Sequence, residues 1–261
     1  MSKRGRRKFT WSDVKATQKG SHLTSYVNKP LEDLLVYLLG NLSVLSADHI
    51  TMIVNALAFI VAYLIAAGRL SYALPLMLLV CILDGVDGKI ARLLGKPTRI
   101  GKLEHSLDFL YEQAWYAAIT WLVFKTTGSY LHLGLAWLIT DAYVRHVYNL
   151  GWIAVGRPIK HWGTIGRAIT TVDGRRNIYV WYTIASHAAG KLHTAVILSL
   201  AHAAATAIAY TALTLRKLKH TAPNAPSRQK PGGEGSSAAS QSASSRLQSP
   251  AAPTSNTTPG P

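Results

Sequence analysis

Cysteine is almost missing from this sequence. Cys81 stands alone in 261 residues, inside an apolar run, which excludes an intrachain disulfide framework and a cysteine-based zinc site. Charge is scarce as well: 15% of residues are charged against 49% apolar, a balance that points to a membrane rather than to a soluble core. No apolar stretch with a small-residue cleavage site follows the basic start Met1 to Lys8, so a cleaved signal peptide is not expected. Large apolar residues are few beyond His220, where Ser, Ala, Pro, Gly and Thr dominate. Such a segment buries too little surface to offset its ordering entropy, and 220–261 reads as a disordered tail.

What is abundant is positive charge, 28 Lys and Arg against 12 acids for a net charge of +16. The cations flank apolar runs and form no stripe beside aromatics, so the expected partner is an anionic membrane surface or a phosphate-bearing substrate, not nucleic acid. A hydrocarbon core about 30 Å thick takes roughly 20 apolar residues in a helix. Six stretches are read as spans: Ile50 to Ala67, Leu70 to Leu83 and onward, Leu103 to Phe124, Leu131 to Val155, the short Ile178 to Ala189, and Leu192 to Leu215. Lys and Arg concentrate in the N-terminal arm, the second-to-third and fourth-to-fifth connections and the start of the tail. The positive-inside bias then places both termini in the cytoplasm.

The expected architecture is therefore all-α, an integral membrane six-helix bundle preceded by an amphipathic surface helix. The divisions are a basic arm at 1–28, the surface helix at 29–45, the six-helix catalytic domain at 46–219 and the tail at 220–261. Pro30 to Gly40 has leucines at helical spacing around Glu32 and Asp33, with proline near the start and glycine at the end, which suits a helix lying on the cytoplasmic face.

The informative stretch runs from Ile82 to Glu112 and places acids where hydrocarbon makes them costly. Asp84 and Asp87 are three apart, Glu104 and Asp108 four apart, so each pair shares a helix face. Carboxylate oxygens suit Mg²⁺ or Mn²⁺ in preference to zinc. Gly85 and Gly88 remove side chains beside the acids, and Lys89 and Arg92 add cationic donors one turn on, arginine in two-pronged geometry. Metal to neutralise developing phosphate charge and a carboxylate to deprotonate a hydroxyl are what phosphoryl-group transfer requires. Asp141 and Arg145, four apart in the fourth span, read as a packing pair. Arg157, Arg175 and Arg176 in the fourth-to-fifth connection could meet a phosphate on an acceptor.

The stretch resembles the CDP-alcohol phosphatidyltransferase family, which shares Asp-x-x-Asp-Gly-x-x-Ala-Arg, a spacer, then Gly-x-x-x-Asp-x-x-x-Asp. Asp84, Asp87, Gly88, Ala91 and Arg92 match the first half. In the second, Gly101 stands one residue off register, and Glu104 and Asp108 keep the spacing of four with Glu for the first Asp. Leu45 to Thr51 resembles the family's Pro-Asn-x-x-Thr entry to the first span, with Ala47 and Asp48 for Pro-Asn. The resemblance implies attack by an alcohol on the phosphorus next to the lipid of a CDP-activated lipid, with release of CMP. It further implies metal, in a two-metal site, held by Asp84, Asp87, Glu104 and Asp108, and Asp108 as base. Gly85, Gly88, Lys89, Ala91, Arg92 and Gly101 would face the CDP moiety, and a homodimer is implied. Two other readings compete. A divalent-cation transporter would use the acids as its ion site, but internal repeats are lacking; an intramembrane prenyltransferase would carry two acid motifs of different spacing.

Overall fold

The computed structural model describes residues 8–19, 22–42, 46–95 and 103–221, the side chains of Leu42, Glu104, His220 and Thr221 excepted. The tail from residue 222 and Gly101 lie outside them. Among the described residues the chain is all-helical: α1 (Trp11–Ala16), α2 (Leu23–Leu42), α3 (Ala47–Ala66), α4 (Leu70–Leu94), α5 (Glu104–Thr127), α6 (Leu131–Val155), a 3₁₀ turn at Ile159–His161, α7 (Thr164–Val172), α8 (Arg176–Ala188) and α9 (His193–Thr221).

Local chemistry sets several of these ends. Thr10 caps α1 in a capping box with Asp13, and Ser46 caps α3 through the His49 amide. The left-handed Gly95, Gly128 and Gly156 close α4, α5 and α6.

Helices cover all six stretches read as spans, but only three, α3, α4 and residues His193–Lys219 of α9, are long and apolar enough to cross a membrane by length and composition. The others differ for identifiable reasons. α5 and α6 have the length but carry Glu112, Asp141 and Arg145 mid-helix. α8, at 13 residues, rises only about 20 Å.

α3 packs on α4 and α5, α2 on α4, α5 on α6, and α9 on α6 and α8. Ile50, Val54, Ala58, Val61 and Ile65 recur every three or four residues as the buried stripe of α3, where Trp115 Nε1 of α5 donates to the Ala58 carbonyl at 2.7 Å. Tyr116, Trp137 and Tyr179 join α5, α6 and α8 with ring centroids 4.4 to 5.5 Å apart. In hydrocarbon, such contacts act by close packing and interhelical hydrogen bonds rather than by exclusion of water.

The N-terminal helix departs from its expected bounds. Pro30 lies inside α2 instead of near its start, and the helix begins at Leu23. Along it Leu31, Leu34 and Leu38 are exposed, whereas Asn28, Glu32 and Asp33 are buried against the protein.

Candidate functional site

The site forms around α4, whose polar end carries Asp84, Gly85, Asp87, Gly88, Lys89 and Arg92. Asp84 is partly exposed and accepts a 2.5 Å bond from Arg176 Nη2 at the start of α8. The other arm of that guanidinium, Nη1, lies 3.4 Å from Glu112 Oε1 on α5, and its plane sits 5.2 Å from the Tyr111 ring. Glu112 Oε2 in turn takes Arg145 of α6. A chain of alternating charge, Asp84–Arg176–Glu112–Arg145, thus ties α4, α8, α5 and α6 together. Asp108, buried one turn before Glu112, also acts on Arg176 electrostatically.

Asp87 is buried and turned toward α3, where Thr51 Oγ1 donates to its Oδ2 at 2.6 Å while the Gly88 amide meets Oδ1 at 2.5 Å. Thr51 is the threonine of the entry motif at Leu45 to Thr51, so that motif and the acid pair meet in space. Gly85 has a steric reason: a Cβ there would fall 2.5 Å from Glu32 Cδ. Glu32 is held by Lys89 at 2.8 Å, and Asp33 by Lys89 and by Lys29, each at 2.7 Å. Burial pushes the Glu32 carboxyl above its ordinary range against the pull of Lys89. It pushes Asp33 the same way, but Lys29 and Lys89 together outweigh it and hold that carboxyl low.

The residues expected to act together divide into groups. Asp84 and Glu112 meet on Arg176, with Asp108 within its electrostatic reach. Among the described residues no group of three His, Cys, Asp or Glu side chains is close enough to hold a metal ion, since a guanidinium lies between Asp84 and Glu112. Glu104 begins α5 with its side chain outside the description. Lys89 is fully buried in its ion pair, and Ala91 packs against the core. The three arginines expected on one acceptor phosphate separate. Arg175 grips Asp173 through Nε at 2.7 Å and Nη2 at 2.5 Å, Arg176 serves the acids, and Arg157 is exposed in the turn after α6. Asp141 and Arg145 likewise turn to α5, Asp141 taking Gln113 Nε2 at 2.8 Å and Arg145 taking Glu112.

A small polar pocket of about 120 Å³ opens at Asp84, Gly85 and Arg92, with Gln18, Lys19 and Asn177 on its other walls. Glu32 and Asp84 are the carboxylates on its lining, among Lys19, Lys89 and Arg92, and Arg176 supplies between Asp84 and Glu112 the positive charge that paired acids require. The oxygens of Asp84, Asp87 and Asp108 are of the hard type a divalent cation takes, with the Arg176 guanidinium on the Asp84 carboxylate in this structure. Sequence reasoning passed over Glu112 although it continues the spacing of four from Glu104 and Asp108.

The model of the CDP-alcohol phosphatidyltransferase family matches residues 44–221, which leaves α1 and α2 ahead of the matched region. No curated protein matches the chain.

Proposed function

We propose, from the premise that the chain belongs to the CDP-alcohol phosphatidyltransferase family, that it transfers a phosphatidyl-type or archaetidyl-type group from a CDP-activated lipid to an alcohol acceptor and releases CMP. The family is one of enzymes that transfer substituted phosphate groups. Support for the residue assignments comes from one observation: Asp84, which lines a pocket together with Gly85 and Arg92, is joined to Arg176, and Arg176 also lies within the electrostatic reach of Asp108.

In this reading Asp84, Asp87, Glu104 and Asp108 would hold Mg²⁺ or Mn²⁺, as two ions, and the metal would supply positive charge against the diphosphate. Gly85, Gly88 and Arg92 receive the CDP moiety, the guanidinium binding phosphate oxygens through paired N–H donors. Thr51 keeps the Asp87 carboxylate oriented. Asp108 takes the proton from the acceptor hydroxyl; the oxygen so freed bonds to the phosphorus next to the lipid, and the bond from that phosphorus to CMP breaks. Glu112 and Arg145 hold Arg176 at the acids.

The same reading gives six spans with both termini and the site on the cytoplasmic side, a homodimer, and α2 lying at the membrane surface. Its outward leucines meet lipid while Glu32 and Asp33 face Lys89.

The test is CMP release in detergent with Mg²⁺ or Mn²⁺, from CDP-diacylglycerol and from CDP-archaeol, across a panel of acceptor alcohols. Release stimulated by one acceptor and lost in Asp108→Asn is expected; no release from any pair of substrates sinks the reading.

A further inference from the structure

Gln18, Lys19, Ser25 and Glu32, on the wall of the pocket at Asp84, come from outside the matched region 44–221. Gln18 and Lys19 follow α1, and they face Asp84, Gly85 and Arg92 across a space of about 120 Å³. Sites for small molecules generally measure about 300 to 1,000 Å³. With the N-terminal segment in place the pocket is therefore too small for a nucleotide diphosphate. The same segment also engages the arginine that should meet the donor, because Arg92 Nε donates to the Thr17 carbonyl at 2.8 Å. That bond occupies the Nε edge of the guanidinium and leaves a phosphate oxygen only the Nη1 and Nη2 donors.

The segment is seated by Val14, fully buried against the core, while beside α1 a second cavity of about 340 Å³ opens, bordered by Phe9, Asp13, Thr17, Arg92 and Leu93. Its far end is tied to α2: the Phe9 amide donates to Asn41 Oδ1 at 2.9 Å, Asn41 Nδ2 returns a bond to the Phe9 carbonyl at 3.3 Å, and the Trp11 and Tyr37 rings meet edge to face at 5.8 Å.

We infer that residues 8–19 are a strap that closes the donor site by drawing the Arg92 guanidinium onto the Thr17 carbonyl, and that a CDP-bearing donor must lift this strap to bind. The inference rests on the donor reading above. Strap and donor compete for Arg92, so anything that loosens the strap raises apparent affinity for the nucleotide by the factor through which the open form gains population.

Asn41→Ala tests this, since it cuts both ties to Phe9 and touches neither pocket. CDP with Mg²⁺ is titrated calorimetrically into the full chain in detergent, with Tyr143→Phe, which loses only the remote bond to Thr211, as the control. Loss of about one net hydrogen bond of closure should tighten CDP binding up to about fivefold in Asn41→Ala and leave Tyr143→Phe like the wild type. Trypsin gives a second readout: CDP should accelerate cleavage after Lys15 in the wild type, where a structural segment would be indifferent or protected. Equal or weaker CDP binding in Asn41→Ala, or protection of Lys15 by CDP, overturns the strap while the donor reading stands. Failure of the wild type and the variant alike to bind CDP overturns the donor reading, and the inference with it.

Discussion

Replacing Lys89 by methionine isolates the contact that seats α2 on α4. Lys89 is only 2% exposed and its Nζ lies 2.7 Å from Asp33 Oδ1 and 2.8 Å from Glu32 Oε2, both carboxylates being buried as well. Methionine fills similar volume without the charge. Asp33 keeps Lys29, itself 28% exposed, whereas Glu32 loses the cation that holds it. Removing one partner of a buried ion pair costs about 3 to 5 kcal/mol, and Lys29 places this case at about 3. For a chain of this size that corresponds to a fall in Tm of about 6 °C or more, read by intrinsic fluorescence in detergent. The loss should also depend on pH. Burial already raises the Glu32 carboxyl above its ordinary value. A group raised on folding adds stability below its unfolded pKa and loses it as pH rises through the folded value, so Lys89→Met should lose less at pH 5 than at pH 8. Adding Glu32→Gln should restore most of the loss at pH 8. A variant as stable as the wild type, or a loss that neither pH nor Glu32→Gln changes, would show that these carboxylates are hydrated and that the ion pair does not seat the helix.

Arg176→Lys should lower CMP release at least tenfold, because an ammonium cannot span from Asp84 to Glu112 as the planar guanidinium does; steady-state rates at saturating substrate check it. Thr51→Val removes the donor to buried Asp87 and should cost about 1 to 3 kcal/mol in thermal unfolding, with a matching loss of CMP release. Gly85→Ala, whose Cβ collides with the Glu32 carboxylate, should cost about 1 to 3 kcal/mol and be relieved by the shorter Glu32→Asp. Burial raises the Asp173 carboxyl, but His22, Arg175 and Tyr210 outweigh it and hold it low. Its stabilisation is therefore present above about pH 4 and lost as pH falls through the depressed folded value, and Asp173→Asn should flatten that acid limb in unfolding scans.

The helices at the six apolar stretches were legible because length and hydropathy are local properties. So was the acid motif on α4, whose spacing puts Asp84 and Asp87 within one turn. The bounds of α2 were not: proline is well suited to a first turn, yet Pro30 sits within the helix, and the turns before it are held by contacts remote in sequence. Thr24 accepts from Asn177 Nδ2 at 3.3 Å, and His22 is beside Asp173 at 3.3 Å. The partner of the α2 charges was illegible for a related reason: Lys89, on which Glu32 and Asp33 meet, lies 56 residues beyond Asp33.

Charge pairing in the interior follows the same rule. Asp141 and Arg145 satisfy the spacing for a pair on one helix and still attract each other, but the side-chain hydrogen bonds of both go to α5. Arg145 has a stronger alternative across the helix interface in Glu112, a fully buried carboxylate that would otherwise share only Arg176 with Asp84. Once Arg145 turns to Glu112, Asp141 needs a donor, and Gln113, the next residue on α5, supplies it. The partner of each buried charge is thus set by which neighbouring helix carries the least compensated opposite charge, a quantity that depends on residues from 84 to 176 and on no local spacing. By the same reasoning Arg176 belongs to the acids: leaving it on a distant acceptor phosphate would strip Asp84 of its cation and leave Glu112 to Arg145 alone.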